Sequence, residues 1–181
     1  RYLTAIEYLK LKDVHIGIIT CYQGASIIES WVPERAFEKM GLGLTLLDKH
    51  PNIRKSEYSA WNYDGKLYNY TLSQVIPFEL TGVVWYQGES DSVPIESEIY
   101  KEELRELIRI WRNDFNDENL PFVIVQLADY DLRNNEDWHN VQKAQYEIQF
   151  EINNAKTVIS ADISETNDIH PPTKDKLAIR I

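Results

Sequence analysis

Cysteine is all but missing from this chain. Cys21 is the only one in 181 residues, so no internal disulfide can form and the redox compartment stays open. Long apolar runs are missing too: no stretch approaches the roughly 20 residues that a membrane span needs. No secretory leader is visible. The chain begins at Arg1 rather than methionine, and a helical pattern runs on to Ile181 without a cap. Both ends therefore read as cut, and the lack of a leader carries little weight. Positive charge is scarce, with 19 Lys and Arg against 29 Asp and Glu, a formal net charge of −10. That balance argues against a nucleic-acid partner, which needs a basic footprint, and against an anionic membrane surface. It suits a neutral or cationic small substrate.

Several chemical signatures are absent as well. There is no HExxH, no pair of cysteines and no Asp-rich calcium loop, so no metal is expected. Asp129, Asp131, Glu136 and Asp137 read as a solvated acidic loop rather than a ligand set. No glycine-rich phosphate loop follows the first strand-like run, which removes the main support for nucleotide binding. A phosphodiesterase on a similar sheet would lack its basic and glycine-rich phosphate contacts for the same reason. G-x-S-x-G is missing, which excludes the nucleophile elbow of the α/β-hydrolases. There is no internal repeat and no low-complexity segment.

What is present is an ordinary globular composition, 43% hydrophobic and 27% charged, in a length that fits one domain over residues 1–181. Strand-like and helix-like pieces alternate. Residues 2–11 carry apolar side chains at helical spacing, and 14–20 (VHIGIIT) are β-branched and apolar, as in a buried strand. Pro33 opens a helix to about Met40, residues 42–66 read as a long surface excursion, and 67–76 as a helix ended by Pro77. Strands are expected at 81–86, 121–127 and 156–161. Helices are expected at 96–115, 136–152 and from near Pro172. Tyr100, Leu104, Leu107, Ile108, Trp111 and Phe115 form one apolar stripe of period 3.6. The order predicts an α/β fold, three-layer α/β/α, with a mostly parallel sheet between helices.

In such sheets ligands bind beyond the carboxyl ends of the strands. The first strand is followed by Gln23-Gly24-Ala25-Ser26, the second by Gln87-Gly88-Glu89-Ser90-Asp91, the third by Asp129, and the fourth by Asp162 and then Asp168-Ile169-His170. An Asp beside a His can fix the tautomer of an imidazole that acts as general base for a hydroxyl. The plainer alternative is that Asp168 caps the helix begun by Pro172. A glycine at a strand exit lets backbone N–H groups approach a ligand, which suits an oxyanion hole; otherwise Gly24 marks a plain turn. The Gln87 amide can donate to the same oxyanion, with Glu89 orienting a neighbour; the alternative is a polar turn. His15, His50 and His139 have no such setting.

The order G-A-S-I-I-E-S-W at Gly24–Trp31, W-Y-Q-G-E-S-D at Trp85–Asp91 and D-I-H-P at Asp168–Pro171 resembles the sialate O-acetylesterases and the related acetylxylan esterases among the SGNH hydrolases. The first block departs from the family's G-G-T-P-I-E-A-W: Ala25 stands for a glycine, Ser26 for a threonine and Ile27 for a proline. The second and third blocks match in full, and Lys174 stands in its usual place. The likeness extends over nearly the whole chain.

The resemblance implies a flavodoxin-like sheet, a serine carbohydrate esterase acting on an acetylated carbohydrate substrate, no cofactor, and a secreted or periplasmic setting. It assigns His170 as base, Asp168 as its acid, Gly24 and Gln87 to the oxyanion hole, and Glu89 to support of the site. The superfamily often writes acid and base as D-x-x-H, but Asn167 stands three residues before His170. The family's nucleophile lies in a Gly-Gln-Ser-Asn block upstream of the first motif, and no such block occurs between Arg1 and Gly24. Ser26 and Ser90 fall on positions that do not carry the nucleophile. The serine is thus expected from outside this chain, which alone would be inactive and would be completed by another part of the protein or pair with a second copy. A carbohydrate-binding module or pseudoenzyme without the serine is the other reading.

Overall fold

The computed structural model describes residues 2–11, 14–36, 61–133 and 135–181. Three parallel strands, β1 (Val83–Trp85), β2 (Phe122–Val125) and β3 (Ala155–Val158), lie in that order. Val84 pairs with Val123, and Val123 with Lys156, so these three share one face of the sheet. The other face carries Trp85, Phe122 and Ile124, all buried. Each crossover is a long helix, as parallel strands require.

Five α-helices are described in full: α1 (Tyr2–Leu11), α2 (Lys66–Tyr70), α3 (Glu96–Asp114), α4 (Glu136–Glu151) and α5 (Asp175–Arg180). Helix α3 packs along α4, α4 on β3, and α1 on α5. The stripe read from the sequence is the face α3 buries. Tyr100, Leu104, Leu107 and Ile108 are fully buried, Trp111 nearly so, and Phe115 packs half-buried against the same cluster. Asn135 caps α4 by accepting the Trp138 N–H on its side chain. A chain of aromatic contacts crosses this core. Trp31 meets Trp85 edge-on at 6.1 Å, Trp85 meets Trp111 at 5.6 Å, and Trp111 tilts on Phe122 at 6.1 Å.

Three expectations change. Residues 14–20 form no strand among the described residues: Val14, Ile18 and Ile19 are each about half exposed. A β-branched apolar run suits a pleated surface, but a strand exists only where a ladder partner takes its N–H and C=O groups. The helix expected over 67–76 ends at Tyr70 and continues as a short 3-10 turn over Leu72–Gln74. There the Thr71 and Ser73 hydroxyls donate to the carbonyls of Leu67 and Asn69, local bonds that compete with helix continuation. The last helix starts at Asp175 with Lys174 at its cap position, so Asp168 is not its N-cap. The helix read from Pro33 is helical over 34–36, and 37–60, including His50 and most of the expected surface excursion, lie outside the described residues.

Candidate active site

The exit of β1 is buried almost at once. Gln87 is 7% exposed and Asp91 fully buried, so the polar residues ending this apolar run turn into the protein rather than into water. The turn depends on Gly88, at φ 142°. A Cβ there would stand 2.8 Å from Val141 Cγ1 and 2.9 Å from Gln145 Nε2.

Gln87 sits inside a hydrogen-bond lattice. Its amide nitrogen donates to the Ser26 carbonyl at 2.8 Å and to Asp91 Oδ2. The Tyr100 hydroxyl donates toward the Gln87 carbonyl at 3.0 Å and lies 3.2 Å from its Oε1. Gln145, fully buried on α4, donates to the Gln87 carbonyl at 2.8 Å and accepts the Leu127 N–H at 2.8 Å, tying the ends of β1 and β2 together. Burial raises the Tyr100 phenol well above its usual range, and the charge of Asp91 adds to the shift, so it remains a neutral donor.

The loop before Trp31 is fastened to this lattice. Asp91 Oδ1 accepts the Ile28 N–H at 3.0 Å. Asn62 accepts the Ile27 N–H at 3.1 Å and donates to the Ala25 carbonyl at 2.7 Å. The Trp31 indole donates to Ser26 Oγ at 3.0 Å, and the Trp111 indole to the Trp31 carbonyl at 3.0 Å. Ser26 is thus a buried acceptor of the core. Gly24 is exposed, with nothing within 4 Å of where a Cβ would be; the left-handed residue is Ala25, at φ 52°.

Glu89 follows on the same edge. Its carbonyl accepts from Ser92 Oγ at 2.8 Å and Arg133 at 2.9 Å, so its main chain secures the loop. Burial pushes its carboxyl above the usual range, while backbone hydrogen bonds and the charges of His170 and Lys174 pull it back. Lys174 Nζ stands 3.2 Å from the Tyr86 hydroxyl and 5.0 Å from its ring centre, a cation–π contact. Burial lowers Lys174, against the pull of Glu89, Glu165 and Asp168, while Tyr86 is pushed up to about 12 by burial and by Glu89. Asp168 and His170 are both exposed, and Asp168 Oδ1 accepts the backbone N–H of His170 at 2.8 Å. That bond fixes the loop carrying the imidazole.

The structure therefore sets Gln87 against the Gly24–Ser26 loop and brings Glu89 within electrostatic reach of His170. Sequence reading missed Asn62, Asp91 as a brace, Tyr100 as a donor, and Gln145. It also missed three buried carboxylates, Glu29, Glu96 and Glu103, whose oxygens lie within 4.8 Å of one another. Such a group can hold a cation. Glu96 and Glu103 stand two turns apart on α3, in line with Tyr100 and Leu107 on the buried stripe; acids at core positions are the signal that could have revealed them.

A family profile described as carbohydrate esterase, sialic acid-specific acetylesterase matches residues 3–179. The chain belongs to this family. It is 24% identical over 205 residues to the sialate O-acetylesterase of Homo sapiens, covering all of this chain and 38% of that protein. The Mus musculus sialate O-acetylesterase is 26% identical, over 92% of this chain and 38% of its own. This chain thus spans little more than a third of the length of these relatives. Its structure superimposes with a TM-score of 0.82 on a carbohydrate acetylesterase from Xanthomonas citri, 27% identical, covering 98% of this chain and 38% of that one. A protein from Arabidopsis thaliana shares the fold at a TM-score of 0.67 and 20% identity, covering 98% of this chain and 63% of that one. The α/β architecture and the carbohydrate-esterase family read from the three motifs are both borne out. No helix among the described residues is long and apolar enough to cross a membrane.

Proposed function

We propose that this chain forms the acid–base and oxyanion side of a serine esterase that removes O-acetyl groups from a carbohydrate, sialic acid or a xylan-type sugar. The observation that carries the reading is the strand-exit lattice. Within a carbohydrate-esterase family, Gln87 holds the Gly24–Ser26 loop, and the Glu89 carbonyl secures the same turn by accepting from Ser92 and Arg133. A serine from outside residues 1–181 attacks the acetyl carbonyl as His170 takes its proton. Asp168 places His170 by holding the backbone of its loop. The N–H of Gly24 donates to the tetrahedral oxyanion, a contribution of about 3 kcal/mol per donor in comparable holes. Gln87 belongs to the same side. As placed it gives both amide protons to protein acceptors, so it acts by shaping the loop. His170 then protonates the departing sugar alkoxide, and water attacks the acyl-enzyme and releases acetate. Glu89 supports the turn. Ser26 does not compete as nucleophile, since its hydroxyl oxygen is buried and accepts the Trp31 indole.

The test is hydrolysis of p-nitrophenyl acetate by the intact protein, followed by acetate release from O-acetylated sialic acids and xylo-oligosaccharides. Turnover abolished by a serine-directed reagent is the expected result. Binding of these sugars without acetate release would replace the esterase by a carbohydrate-binding module.

A further inference from the structure

The four residues of the turn entering the first motif each have one backbone group claimed by a distant side chain. The Ala25 and Ser26 carbonyls are held by Asn62 and Gln87, and the Ile27 and Ile28 N–H groups by Asn62 and Asp91. Gln87 and Asp91 belong to the β1 exit and bond to each other. Asn62 belongs to neither motif. It lies 35 residues from Ile27 in sequence, is 4% exposed, and uses both ends of its amide on the segment that contains Ala25. Ala25 is left-handed at φ 52°, a conformation a residue with a Cβ keeps only where its surroundings over-determine it. Gly24 and Ala25 form a turn ahead of the 3-10 turn of Ile28–Trp31, and the two bonds from Asn62 grip that turn from outside it.

We propose that Asn62 is a positioning residue for the oxyanion side of the site: its two hydrogen bonds hold Ala25 left-handed and so fix where the Gly24 N–H points. The inference rests on the esterase reading and adds a group outside its motifs. Donors aimed at a developing charge help only when they are in place before the reaction, and misplacement by about 1 Å can lower a rate about 100-fold. Loss of Asn62 frees the Ala25 carbonyl and the Ile27 N–H together, and Ala25 relaxes toward negative φ. A glycine at 25 has no such preference, so it tolerates the left-handed state without the clamp.

The experiment uses the intact protein, with kcat and KM for p-nitrophenyl acetate and backbone amide exchange over residues 24–28. Asn62→Ala is expected to lower kcat by about 10- to 100-fold with KM within about twofold. Adding Ala25→Gly to Asn62→Ala should restore a substantial part of kcat, read at a temperature well below the Tm of every variant, where a change in overall stability does not alter the folded fraction. Asn62→Asp keeps the Ile27 bond and the volume while removing the donor to Ala25. It should show the same kcat loss even if Asn62→Ala folds poorly. Exchange at Ile27 and Ile28 should rise about tenfold in Asn62→Ala while β2 amides are unchanged. An unchanged kcat in folded variants, an effect on KM alone, or no recovery from glycine at 25 overturns the proposal. Inactive wild-type protein would sink the esterase reading instead, and unchanged exchange over 25–28 would then still refute the clamp.

Discussion

Replacing Ala25 by glycine should stabilise this protein, against the usual rule that glycine weakens a fold. Ala25 sits at φ 52°, where its Cβ crowds the following carbonyl at a cost of about 1–2 kcal/mol. Glycine removes that cost but enlarges the unfolded ensemble by about 0.4–1 kcal/mol. The difference leaves a net gain of about 0–1.6 kcal/mol, centred on about 0.8, which for a domain of this size raises Tm by up to about 6 °C. Gly24 supplies the control. Its φ is outside the left-handed range and nothing lies within 4 Å of an added Cβ, so Gly24→Ala should be neutral or gain a few tenths of a kcal/mol. The family pattern has glycine at both positions, and only the second is required by backbone geometry. Scanning calorimetry and urea unfolding of the two variants and the parent decide the matter. A lower Tm for Ala25→Gly would refute the assignment of strain to this residue.

Other expectations can be checked on the same protein. Gly88→Ala should destabilise by about 2–4 kcal/mol in urea unfolding, because φ 142° and contacts of 2.8 and 2.9 Å leave no room for a methyl group; a loss under about 1 kcal/mol would contradict the packing described. Glu89 is held above its ordinary value of 4.5 by burial. The native state thus binds the proton more tightly than the unfolded state, and the protein loses stability as pH rises from about 4.5 through the folded value. Glu89→Gln should therefore stabilise at pH 7, with little effect near pH 4, in paired thermal melts; an equal effect at both pH values would remove burial as the cause. On the proposed esterase reading, His170→Ala should lower kcat of the intact protein by several orders of magnitude while Tm stays within about 2 °C, since the side chain is exposed. Retention of most activity would end its assignment as base.

Much of the fold is legible where the signal is local. The α3 stripe could be read residue by residue, because a helix long enough to cover the sheet repeats its pattern over five turns. The cores of three strands stood out as β-branched runs flanked by turn residues. The same run at 14–20 misleads, since strand pairing depends on a neighbour the run itself cannot specify. The motifs placed Gly24, Gln87, Glu89 and His170 on one edge, but not the partners that give them shape. Asn62, Asp91 and Gln145 reach across 35, 63 and 58 residues, and no local pattern marks a glutamine or asparagine that will bond to distant backbone. Gln87 illustrates the limit. Its motif announces a donor, yet only the folded chain tells what that donor faces.

The aromatic chain gives the loop an optical handle. Trp31 and Trp111 each meet Trp85 edge to face, with ring centres 6.1 and 5.6 Å apart, and the indole of Trp31 is bonded to the turn at Ser26. Indoles so close exchange excitation and couple their near-ultraviolet transitions. A shift of the turn on acylation, inhibitor binding or loss of its clamps would change that coupling before any unfolding. Intrinsic near-ultraviolet dichroism can then follow the turn without an added label, and Trp138, buried on α4 outside the stack with its indole donating to the Ala128 carbonyl, supplies the background.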